Sequence, residues 1–151
     1  MEGEFLAKKE VKKVLEKVEE QWGTTVTGEY LFFKNNKRKL YIVSKEFAQI
    51  DRDKLRINSI GLYFCEVTEK GDIRLSIEGS QMLGPSATKN VLEVNEKQVK
   101  EWLYGEDVAY EGESKGFVIL KYGDYFVGCG KHKEGYINNH VSKNRRIGTK
   151  N

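Results

Sequence analysis

The chain has 151 residues, 38% of them apolar and 11% aromatic, which is enough for one core or two small adjoining ones and excludes wholesale disorder. No apolar run approaches membrane-spanning length, and the start M-E-G-E-F-L-A-K-K-E lacks the basic opening and apolar centre of a secretory signal, so a cytosolic protein is expected. The formal net charge of +3 hides an asymmetry: residues 115–151 carry eight Lys or Arg against only Asp124 and Glu134, while residues 1–114 are slightly acidic. The weight of Lys and Glu over Gln and His suggests a thermophilic source.

The first predicted element is a helix over residues 5–22. Val11, Val14, Leu15, Val18 and Trp22 recur at helical spacing on one face, and Gly23 stops it. A hairpin follows, with strands at Tyr30–Phe33 and Leu40–Val43 split by the basic turn K-N-N-K-R-K. A strand is expected over 60–67, then a Lys-Gly-Asp turn at 70–72. The alternation in Ile73-Arg74-Leu75-Ser76-Ile77 reads as a second strand, with Arg74 and Ser76 facing away from its apolar side. Residues 78–90 are weakly patterned, with a helical stretch possible before the break at Gly84-Pro85.

A second unit opens with a short strand at 91–94. Asn95 sits as a helix N-cap with Gln98 in capping-box position, and the helix runs past Val99, Trp102 and Leu103 to a stop at Gly105. Residues 107–113 read as polar loop. The closing hairpin is Phe117–Tyr122, turn Gly123-Asp124, Tyr125–Cys129, with a third strand near Tyr136-Ile137. Val118, Leu120, Phe126 and Val127 are expected in the core. Gly128 and Gly130 read as a bulge or as room for a nucleic-acid backbone, the bulge being preferred.

These residues carry a resemblance. The run V-L-E-V-N-E-K-Q-V-K-E-W-L-Y-G-E-D-V, a polar gap, G-F-V-I-L-K-Y-G-D-Y-F-V-G-C-G-K and then Y-I-N-N-H-V-S-K-N-R-R-I resembles a PUA domain. More narrowly, it resembles the PUA-type C-terminal extension of Sun-family RNA cytosine-5 methyltransferases. One departure is Ser142, where the family usually has Pro before the lysine. Residues 1–85 resemble the α+β unit that precedes PUA domains in several small RNA-modification and ribosome-biogenesis proteins. The resemblance implies an α+β protein, with a pre-PUA-like domain over 1–88 and a small PUA-like β-barrel over 89–151.

It also implies a non-catalytic RNA-binding factor for tRNA or rRNA modification or ribosome biogenesis, with structured RNA as partner and no cofactor. A separate RNA methyltransferase or ribosome-assembly protein would be a further partner. The basic C-terminal third fits a phosphate backbone independently. Lys131, Lys143, Arg145 and Arg146 are the expected phosphate contacts, and Lys121 and Lys133 lie at the rim. Tyr125 and Asn138 are candidates for orienting the RNA, through ring stacking and a base-edge hydrogen bond.

Other readings compete with this one. Cys129, His132 and His140 with Cys65 would make at best a partial zinc set without paired spacing. Both cysteines read more simply as buried thiols. Methyl transfer within this chain is not expected, because neither cysteine follows Pro or Thr in the family's manner and no G-x-G-x-x-G follows a strand. Hydrolysis or lyase chemistry would need Glu66, Glu69 or Asp72 with His140 as base, and turn carboxylates usually serve solubility. Finally, exposed aromatics such as Phe32, Phe33 or Tyr41 would make the first unit a protein-docking module that does not itself bind RNA, although burial in its own core explains most of them equally well.

Overall fold

In the computed structural model, which describes residues 2–48, 61–114, 116–141 and 145–147, the chain forms two five-stranded sheets with helices, an α+β protein. The first sheet runs in the order β1 (Gly3–Phe5), β2 (Tyr30–Asn35), β3 (Lys39–Ser44), β4 (Leu62–Val67) and β5 (Ile73–Leu75), all antiparallel. The helix α1 (Lys8–Trp22) begins three residues later than its periodicity suggests, because β1 takes the preceding residues. Gly23 ends it in the left-handed conformation, φ 66°, returning its N–H to the Glu19 carbonyl at 2.8 Å. A one-turn helix, α2 (Lys45–Ala48), follows β3.

Strand alternation divides the apolar residues of this sheet between two faces. Phe32, Leu40, Ile42 and Phe64 pack with Val18 and Trp22 of α1, whereas Phe33 and Val43 cluster with Phe5 and Tyr41 on the other side. Phe32 and Phe33 are both buried, which is the core reading of these aromatics and takes both out of the alternative docking reading. Gln21 fixes α1 to the sheet edge: its side chain donates to the Ile73 carbonyl at 2.9 Å and accepts from the Ile73 N–H at 2.7 Å.

Ser76 does not continue the strand. Its hydroxyl accepts from the Gly79 N–H at 2.9 Å and lies 2.6 Å from the Tyr63 carbonyl, which makes it the N-cap of α3 (Ile77–Leu83). Gly79 lets α3 lie against β4, since a Cβ there would sit 2.3 Å from the Phe64 carbonyl oxygen. A turn of 3-10 helix at Gly84–Ser86 leads to a strap along the end of α1. There Thr88 donates to the Trp22 carbonyl at 2.8 Å and Asn90 to the Gln21 carbonyl at 2.6 Å.

The second sheet has the order β6 (Val91–Glu93), β8 (Gly116–Tyr122), β9 (Tyr125–Lys133), β10 (Tyr136–Asn138), β7 (Val108–Ala109). β6 and β8 are parallel and the other pairs antiparallel. The helix α4 (Glu96–Leu103) has the expected capping box between Asn95 and Gln98, at 2.8 and 2.9 Å. β7 lies inside the stretch read as polar loop; with only two residues it shows no periodicity, yet Val108 is fully buried. Glu134 and Gly135 both have positive φ, as a two-residue turn between β9 and β10 requires. Among the described residues β6 and β7 are the edges of an open sheet, where the resemblance implied a small β-barrel.

β8 is covered on both sides. Val118 and Leu120 face a core with Val99, Trp102, Val108 and Ile137, while Phe117 and Ile119 join Cys129 in the core built around α1 and the first sheet. A continuous apolar run is what such a strand needs. Phe126 and Val127, expected in the core, are only half-buried and pack at its margins.

Candidate nucleic-acid interface

The predicted binding residues spread over the second sheet and do not converge. Tyr125, 72% exposed, stands at the tip of the β8–β9 hairpin beside Lys121, whose Nζ lies 5.8 Å from the Phe126 ring centre. Lys133 lies at the far end of β9, eight residues and so roughly 26 Å from Tyr125. Lys131, next to it, pairs across the ladder with Asn138 and reaches over the Phe117 ring at 5.9 Å. Lys143 lies outside the described residues.

The two arginines differ. Arg145 is half-exposed and forms an ion pair at 2.7 Å with Glu78 at the start of α3. Arg146 is placed for packing: its Nε donates to the Val141 carbonyl at 3.2 Å, and its side chain lies against Gly105, where a Cβ would come within 2.3 Å of it. Ile147 N–H donates to the Leu103 carbonyl at 2.9 Å, so this pair of residues seats the C-terminal segment on the end of α4.

Gly128 and Gly130 serve the indole of Trp102. A Cβ on Gly128 would sit 2.8 Å from the indole nitrogen, and one on Gly130 would meet both the ring and the Asn138 carbonyl. The ladder shifts register between Leu120 and Lys121, opposite Phe126 and Gly128, so a bulge does lie here. Trp102 Nε1 donates to the Val127 carbonyl it exposes, at 3.0 Å.

The metal reading finds no geometry. His132 is held by backbone, with Nδ1 2.5 Å from the Ser114 carbonyl oxygen and Nε2 3.0 Å from that of Tyr110. Among the described residues no three His, Cys, Asp or Glu side chains are grouped to hold an ion. Cys65 and Cys129 are free, buried thiols. Burial pushes both thiols up, Cys129 to about 12. At neutral pH a thiol probe should therefore react with neither until the chain unfolds, which a labelling time course in rising urea would check. Because these raised values favour the folded state only while the unfolded thiols keep their protons, stability should fall as pH rises above about 9.

A different concavity unites both halves of the molecule. Lys39, Tyr63 and Arg74 of the first sheet face Gly128, His140 and Arg145 of the second half across a cleft of about 260 Å³. Arg74 is engaged by Glu66, and Lys39 Nζ lies 5.2 Å from the Tyr63 ring centre. Tyr63 stays protonated, because burial and then the Glu66 charge push its hydroxyl well above the ordinary phenol value. His140 is driven toward its neutral form, first by burial and second by the Arg74 charge, against weaker pulls from Asp107 and Glu66. Of these residues the sequence singled out His140 and Arg145 as candidates, and noted Lys39 within a basic turn.

The second half is thus an open sheet capped by a Trp-bearing helix, with residues 145–147 seated on the end of that helix. Residues 89–147 match the family described as the Methyltransferase RsmF PUA domain. This part of the chain is therefore a PUA-type domain, and it resembles the C-terminal extension of Sun-family RNA methyltransferases. Its relatives include the ribosomal RNA small subunit methyltransferase F of Aeromonas salmonicida, 32% identical over 127 residues, which are 83% of this chain and 26% of that protein. The enzyme of the same name from Shewanella oneidensis is 26% identical over 108 residues, 70% of this chain and 22% of that protein. That of Vibrio cholerae is 32% identical over 78 residues, 51% of this chain and 16% of its own length. The chain thus spans about a quarter of the length of the Aeromonas relative.

Proposed function

We propose that this chain is a non-catalytic RNA-binding element acting in the modification of small-subunit ribosomal RNA in the cytoplasm. The observation that carries the reading is the alignment to ribosomal RNA methyltransferases F. It extends beyond the PUA-type domain over 83% of the chain, so both halves share that ancestry. The charge distribution supports it, since cations lie at both ends of the β8–β9 hairpin and along the C-terminal segment.

The non-catalytic part rests on the thiols. A cytosine-5 methyltransferase attacks its base with an accessible thiolate, whereas Cys65 and Cys129 are buried and held protonated. Methyl transfer would be the work of other residues or another protein, with this chain positioning the RNA. In that role Lys121, Lys131, Lys133, Lys143 and Arg145 neutralise phosphates, and Tyr125 stacks on an unpaired base at the hairpin tip. Arg146 keeps the segment bearing Arg145 in place.

The test is binding to small-subunit rRNA fragments and to tRNA at two salt concentrations. Salt-sensitive binding is expected, tighter for rRNA. The Lys131→Ala/Lys133→Ala double variant should flatten the salt dependence by about two units of slope, one per lost phosphate contact. No binding at low salt would overturn the reading and favour a protein-docking module. The exposure pattern gives that alternative little to use: in the first half, among the described residues, Leu62 is the exposed large apolar side chain.

A further inference from the structure

The cleft between the two halves has a chemistry that the binding residues of the second sheet do not explain. It presents three basic side chains, Lys39, Arg74 and Arg145, beside a protonated tyrosine and a neutral histidine. These come from three separate strands of one sheet and from the C-terminal segment, so the site exists only when both halves are assembled. Its volume of about 260 Å³ lies just under the range of about 300–1,000 Å³ typical of drug-sized ligand pockets. That suits one nucleotide and is far too narrow for a duplex.

We propose that this cleft takes a single unstacked nucleotide of the bound RNA, its phosphate against Arg145 and Lys39 and its base against the Tyr63 ring and His140. This deepens the RNA-binding reading and rests on it.

Arg145 is half-exposed and its guanidinium pairs with the Glu78 carboxylate, and the same planar fork suits a phosphate. Lys39 rests over the Tyr63 ring. An ammonium on an exposed ring face is a weak contact, so it is readily given up for a phosphate. The departure of Lys39 uncovers that face for a base, and stacking of a base on an aromatic ring is the stronger contact. The Tyr41 ring lies beside that of Tyr63, with ring centres 5.5 Å apart and planes inclined at 38°. His140, neutral, can both donate and accept, as reading a base edge requires. Arg74 stays paired with Glu66 and contributes its field rather than a direct contact.

Glu78 makes the proposal testable in the direction of gain. The experiment follows ¹H–¹⁵N spectra of the full chain titrated with the four 5′-mononucleotides, with inorganic phosphate and with a short polyglutamate peptide, and measures rRNA binding in parallel. Mononucleotides should saturate shifts at Tyr63, His140 and Arg145 and bind several-fold more tightly than phosphate. Glu78→Gln should tighten them several-fold by freeing Arg145, a gain that misfolding cannot imitate. Lys39→Ala should weaken them about as much. If rRNA binds but mononucleotides leave those signals unmoved and Glu78→Gln has no effect, the cleft is not a nucleotide site and the RNA-binding reading survives. Phosphate binding as tightly as nucleotides, or polyglutamate competing equally, would also overturn the proposal, in the second case in favour of an acidic peptide. If rRNA does not bind at all, the underlying reading fails.

Discussion

Trp102→Ala is expected to lower the unfolding free energy by about 3–5 kcal/mol, the range for truncating a large buried aromatic. Trp102 is fully buried at the centre of the second core. Its ring fills the space that Gly128 and Gly130 leave open on β9, so neither glycine can collapse into the hole the truncation makes. The indole N–H also satisfies the Val127 carbonyl at the bulge. Without it a partly buried carbonyl loses its partner, at a cost of about 1–3 kcal/mol. Trp102→Phe separates the two terms: it keeps most of the apolar volume, loses the hydrogen bond, and should cost about 1–3 kcal/mol. Urea titrations followed by circular dichroism would decide. A loss below about 1 kcal/mol for the alanine variant would mean that the second core does not depend on this ring.

Much of this core was readable in the sequence. The capping box at Asn95 and Gln98 and the helical spacing of Val99 and Trp102 are local patterns, and each appears where expected. The strands at Tyr30–Phe33 and Leu40–Val43 also lie where expected, although the sequence could not say that both faces of that sheet are covered. Ser76 was misread because its strand-like neighbours, Ile73, Leu75 and Ile77, alternate through it. What ends the strand is a hydroxyl that finds both the Gly79 N–H and a carbonyl of β4, a tertiary fact.

The site was harder to read for the same reason. Arg146 looks like Arg145 in the sequence, and only the structure shows that one arginine packs beside Gly105 while the other pairs with Glu78 at the cleft. The cleft draws Lys39, Tyr63, Arg74 and His140 from segments spread over about 100 residues, and no spacing rule links them. A polar residue alternating within an apolar strand, as Arg74 does in β5, was the available hint that something other than core lies on that side.

Ile119→Ala should destabilise both halves together, by about 2–5 kcal/mol. Ile119 belongs in sequence to the PUA-type domain, yet its fully buried side chain lies in the core with Phe64, Ile73 and Trp22. Its N–H donates to the Asn90 carbonyl at 2.8 Å, on the strap tied to the end of α1. Truncating it therefore opens a cavity between the halves, with Phe117 and Cys129 on one side and the first sheet on the other. The chain carries its own reporters, because its two tryptophans, Trp22 and Trp102, sit one in each core. Placing Ile119→Ala in a Trp22→Phe and a Trp102→Phe background lets fluorescence follow each half alone during urea unfolding. Within each background the added substitution should move the transition by the same free energy, as one cooperative unit requires. A shift seen by Trp102 and absent from Trp22 would make the halves independent domains that merely touch. The result bears on function, because a cleft with one wall from each half keeps its shape only while they unfold as one.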